Sequence, residues 1–164
     1  MLKRMLFFWF SSFALAVAGY YLLWGLLPGH RVFGDWYRML PYHAAHPLPY
    51  IALCCGCYGP LAAAAAATFR RRGTWGRVGV TAVLCVLTVA LSAPLGGILW
   101  HWHDMQAGYF PPRWGQVLLH QGPRDGLALG WLVVVLSVPY AWLGAVMCYL
   151  LTKVGASLFR PTTS

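Results

Sequence analysis

The run VGVTAVLCVLTVALSAPLGGILW, residues 78–100, holds 23 consecutive positions without one Asp, Glu, Lys, Arg or His. A helix rises about 1.5 Å per residue and the hydrocarbon core of a bilayer is about 30 Å thick, so about 20 such residues suffice to cross it. The run is therefore read as a transmembrane helix. It is bounded on one side by Arg70, Arg71, Arg72 and Arg77, and on the other by His101-Trp102-His103-Asp104.

Three further runs, 5–27, 48–69 and 126–152, are equally free of those ionisable residues. The expected fold is an all-α integral membrane protein with four transmembrane helices in a single domain, residues 1–164. The composition agrees: 60% of the chain is hydrophobic and 9% charged, with a mean hydropathy of +0.61. That excludes disorder, and the net charge of +9, spread over twelve basic residues, makes no dense face for nucleic acid.

The charges speak instead to topology. With the N-terminus in the cytoplasm, Lys3, Arg4, Arg70, Arg71, Arg72, Arg77, Lys153 and Arg160 are inside, against Arg31, Arg38, Arg113 and Arg124 outside. Both termini are then inside, and Asp35, Asp104 and Asp125 are outside. Lys3, Arg4 and the following apolar run resemble a signal peptide, with Ala16-Val17-Ala18 as a cleavage tripeptide. The run continues through Tyr20 and beyond, which favours a retained signal anchor.

The basic turn between the second and third runs is short and makes them antiparallel neighbours. The two outer segments, 28–47 and 101–125, are longer and rich in Trp, Tyr, His and Pro, a composition suited to the membrane interface. Within the second, Trp114, Val117 and Leu118 fall on one face of an expected short surface helix over residues 113–120. Alanines 62–67 give a smooth helical surface. Ser92 with Gly96, and Gly126 with Gly130, are small-xxx-small pairs for close helix packing, and Gly97 adjoins the first pair.

All six histidines, His30, His43, His46, His101, His103 and His120, lie in the outer segments. His43 and His46 have the i, i+3 spacing of one helical face, and His101, His103 and Asp104 offer two imidazoles and a carboxylate in what reads as an extended stretch. Imidazole with carboxylate suits Zn(II); with the thioethers of nearby Met39 and Met105 it suits copper. Neither pattern is specific, and a hydrogen-bonded outer cap is the simpler expectation. Asp104 is expected to pair with Arg113 or Arg124 rather than to act as a base, because no nucleophile accompanies it. Asp104, Arg113, Trp114 and His120 are the candidate outer contact residues.

Cys54, Cys55, Cys57, Cys85 and Cys148 all fall within the apolar runs, which rules out a disulfide framework in the outer loops. Cys54 and Cys57 make a soft pair of the kind Cu(I) accepts, although packing accounts for them more simply. The spans carry no titrating acid or histidine, so proton coupling through the membrane is not expected. Pro60 and Pro139 fall near mid-span, and Pro94-Leu95-Gly96-Gly97 is expected to break the third helix toward its outer end.

No enzyme motif is present. The leading expectation is a small inner-membrane protein acting by contact, as an accessory, assembly or protective subunit, with the bilayer and either another membrane protein or a second copy as partners. An outer-face site for Zn or Cu and a small oligomeric channel or exporter are the alternatives. Ten Arg against two Lys, with abundant Ala, Gly and Pro, suggest GC-rich coding and a bacterial cytoplasmic membrane.

Overall fold

The computed structural model describes residues 1–26, 47–109, 114–136 and 138–159. Nearly all of these residues are helical, with no strand among them: α1 is Leu2–Leu26, α2 Pro47–Arg71, α3 Thr74–Gln106, α4 Gly122–Leu136 and α5 Val138–Leu158. One helical turn, Trp114–Gln116, and a wider π turn, Val117–Gln121, lead into α4. Four helices, α1, α2, α3 and α5, are long and apolar enough to cross a membrane. The chain is a multi-pass membrane protein.

Lipid offers no hydrophobic gain for bringing helices together, so packing falls to close-fitting small side chains and a few interhelical polar contacts. The alanine run does this in α2. Ala62, Ala63 and Ala66 are buried with Phe8 of α1, Leu84 of α3, and Leu151 and Ala156 of α5. Phe8 is fully enclosed, and its ring lies so close to Gly155 that a Cβ there would collide with it. The Tyr58 hydroxyl lies 2.9 Å from Thr152 Oγ1 and donates to the Cys148 carbonyl at 3.3 Å, tying α2 to α5 in the core.

Charges sort to the two ends of the bundle. The start of α1, the end of α2, the start of α3 and the end of α5 meet at one end. There the Arg4 guanidinium lies 5.6 Å from the Phe159 ring centre and Arg77 5.7 Å from that of Phe69. Only residues 72 and 73 separate α2 from α3, so these helices are antiparallel neighbours as their short connection requires. The other end carries His101, His103, Asp104 and Asp125.

Two boundaries differ from those the sequence predicts. α3 has 33 residues, about 50 Å of helix, and runs unbroken through Pro94-Leu95-Gly96-Gly97 and on to Gln106. A proline removes one backbone bond, but opening the helix in lipid would strand several groups with no water to receive them. The residues beyond Trp100 include no breaker until Gly108. There the chain turns left-handed at φ 80°, and the N–H groups of Gly108 and Tyr109 close on the carbonyls of Met105 and Asp104.

The fourth apolar run is shared between α4 and α5, on either side of residue 137, with Pro139 in the first turn of α5, where a missing N–H costs no helical bond. α4 lies along α3, whereas α5 packs against α1, α2 and α3. The expected surface helix is helical from Trp114, yet it is continuous with α4. The Gly122 N–H bonds to the Val117 carbonyl five residues back, and Val117 is buried.

Candidate functional site

The histidine end is positioned by the crossing of α3 and α4. Ala93 and Gly97 on α3 meet Gly122, Gly126 and Gly130 on α4, each series spaced by four residues. A Cβ at Gly97 would strike the Gly122 carbonyl and the Gly126 backbone, and one at Gly126 would strike the Ala93 carbonyl. The two backbones are thus in direct contact, the arrangement that small-xxx-small ridges permit.

Four residues beyond Gly97, on the same face, stands His101. It is 5% exposed, and its Nε2 lies 2.9 Å from Asp125 Oδ2 at the head of α4. The Asp125 side chain is 43% exposed, so the pair joins an enclosed imidazole to a carboxylate that reaches water. The Trp100 indole lies nearly parallel to the imidazole, with ring centres 5.5 Å apart. Asp104, one turn further along this face, is buried. His103 turns elsewhere, meeting the Tyr50 ring of α2 edge-on at 6.2 Å.

This corrects the extended reading of His101, His103 and Asp104. On a helix, residues two apart diverge, and the two imidazoles address different neighbours, α4 and α2. Among the described residues no three His, Cys, Asp or Glu side chains are grouped to hold a metal ion. His43, His46 and Arg113 lie outside the described residues. Arg124 and His120 are exposed, and Trp114 opens the helical turn that leads into α4.

No motif spacing points to the partnership of His101 with Asp125. The signal for it lies in the glycine spacing. Laying Gly97 against Gly126 in antiparallel register brings His101 opposite residues 122–125.

The small residues divide between two faces of α3. Gly97, Gly126 and Gly130 make the α4 crossing. Ser92 and Gly96 instead look toward α2: Ser92 lies beside Cys54, and the nearest atom to a Cβ at Gly96 would be Tyr50 Cδ1 at 3.9 Å. Ser92 also donates to the Val89 carbonyl of its own helix.

All five cysteines are free thiols within helices. Cys54, Cys55, Cys85 and Cys148, from three helices, border a half-enclosed cavity of about 270 Å³ that α1 closes with Ser12. Cys57 is not part of this lining, so the cavity gathers Cys54 and its neighbour Cys55 with Cys85 and Cys148 rather than with the CxxC mate.

Compared with known protein families, curated proteins and solved structures, the chain finds no match in any of the three.

Proposed function

We propose that this is a small multi-pass protein of a bacterial inner membrane that acts by protein contact, as an accessory, assembly or protective subunit of a larger membrane complex. Its basic end faces the cytoplasm and its histidine end the outer side, in accord with the excess of Lys and Arg at the former. The observation that supports contact as its mode of action is an outward ridge on α5. Trp142, Val146, Leu150, Val154 and Leu158 recur every four residues, all exposed, with Trp142 at 71%. Aromatic anchors of this kind are enriched where proteins meet partners.

The test is extraction of the tagged protein from native membranes in mild detergent, with mass spectrometry of what co-purifies. A stoichiometric protein partner, lost on changing Trp142 and Val146 to Ala, supports the reading. A protein that always purifies alone overturns it.

One observation favours the metal reading as a second. An imidazole held by a carboxylate through one ring nitrogen is how metal-binding histidines are oriented, and Asp125 holds His101 in that way. On this reading His101, oriented by that carboxylate, is the anchoring ligand for Zn(II) or copper in the expected set with His103, Asp104, His43 and His46, and His103 is turned toward α2. Metal that survives purification and disappears when His101 and His103 become Ala supports it; unchanged metal content in that variant removes it.

A further inference from the structure

The half-enclosed cavity bordered by the cysteines lies between α1, α2, α3 and α5, all of which contribute wall. Among the described residues no charged side chain lines it. Its walls are aliphatic carbon and sulfur with a few hydroxyls, and an apolar cavity of this kind stays dry and takes apolar guests. A cavity of about 150 Å³ accommodates benzene, so one of about 270 Å³ suits a larger, substituted or two-ring molecule.

Thr88 borders this wall with a hydroxyl that has no internal use, and in the rotamer present that oxygen is turned away from the cavity. It is 6% exposed, it borders the cavity, and its hydroxyl has no hydrogen-bond partner among the described residues. Two other buried threonines behave differently. Thr81 donates to the Arg77 carbonyl at 2.9 Å and Thr152 to the Cys148 carbonyl at 2.7 Å, each four residues back along its own helix. Threonine has two χ1 wells in a helix, so hydroxyl and methyl exchange places without moving the backbone. A hydroxyl left unpaired in a low-dielectric interior favours any guest that brings an acceptor.

Gly144, an exposed residue of α5, also borders the cavity. A Cβ built there meets nothing within 4 Å, in contrast to the glycines of the α3–α4 crossing. The cavity is therefore bordered on α5 by a glycine whose place would accept a side chain.

We propose that this cavity binds an uncharged, ring-sized lipophilic molecule bearing a carbonyl oxygen, which enters from the bilayer and accepts a hydrogen bond from Thr88. Thr88 lies mid-way along α3, too deep for the headgroup of a lipid, so the oxygen belongs to a molecule dissolved in the hydrocarbon layer. Its binding is independent of any partner protein.

The test uses the full chain in amphipol, titrated with 2-acetylnaphthalene and with its hydrocarbon isostere 2-ethylnaphthalene, with calorimetry and melting temperature as readouts. The ketone is expected to bind about five-fold tighter than the hydrocarbon, the worth of one net hydrogen bond. In Thr88→Val the hydrocarbon still binds and the preference for the ketone disappears. In Gly144→Leu neither binds, while the melting temperature of the ligand-free protein is kept or raised. Equal affinities in the parent protein, a preference that survives in Thr88→Val, undiminished binding in Gly144→Leu, or no binding of either probe to the parent protein would each overturn the proposal.

Discussion

His101 Nε2 and Asp125 Oδ2 lie 2.9 Å apart and fasten the histidine end of α3 to the head of α4. The contact is long-range in sequence, spanning 24 residues, and stands one helical turn above the place where Gly97 and Gly126 bring the two backbones together. Close approach of the helices and pairing of the side chains therefore support one another.

Removal of either partner should destabilise this end unequally. Asp125→Ala, at a half-exposed site, is expected to cost about 1 kcal/mol, and His101→Ala more, because it also vacates a buried position. A double-mutant cycle on melting in detergent should return a coupling of at least about 0.5 kcal/mol. Strict additivity would show that the contact contributes nothing to stability.

The glycines should separate into two classes. Gly97→Ala and Gly126→Ala force the α3 and α4 backbones apart and are expected to cost about 2 kcal/mol or more each. Gly79→Ala and Gly25→Ala, where an added Cβ meets nothing, should be neutral or stabilising by up to about 1 kcal/mol. Thermal melts of the four variants side by side check the ranking, and a destabilised Gly79→Ala alongside an unaffected Gly97→Ala would contradict the described crossing.

Tyr58→Phe removes the hydroxyl shared by Thr152 and the Cys148 carbonyl while keeping the ring against Phe8. The expected loss is about 1 kcal/mol. Phe8→Ala should cost about 3 to 5 kcal/mol, since the ring is fully enclosed and Gly155 cannot fill its place. Comparing the two by chemical denaturation distinguishes the polar from the packing contribution at the same locus.

Topology offers a further check. In a variant lacking the native cysteines, a thiol at Tyr109 is expected to react with an impermeant maleimide added to intact spheroplasts, and a thiol at Arg72 only after the membrane is opened. The reverse pattern would overturn the proposed orientation.

Much of the architecture is legible from residue types alone. Four long charge-free runs point to four membrane-length helices, because an unpaired backbone has no partner in hydrocarbon, although the fourth run is divided and its long helix continues through Lys153. The glycine ridges likewise announce close packing. What misleads is local: Pro94 and the paired glycines look like a helix end, whereas the stop is Gly108, the one described residue whose φ is left-handed.

The site is less legible, because a histidine's role depends on what faces it. The spacing of His101 and His103 is a property of the chain, but their divergence to α4 and α2 follows from α3 continuing as a helix through them. The cavity is further still from the sequence. Cys54, Cys85, Thr88, Gly144 and Cys148 form no motif, and they become neighbours only when three helices converge.

Sequence by itself determined the class of protein, the number of helices long and apolar enough to cross a membrane, and the sorting of charge to two ends, because each follows from the cost of placing a charge or an open backbone in lipid. Tertiary structure decided which imidazole meets which carboxylate, which small residues touch, and where a cavity is left between helices. Those outcomes depend on the rotation and crossing of packed helices, and side-chain volumes from distant segments set them jointly.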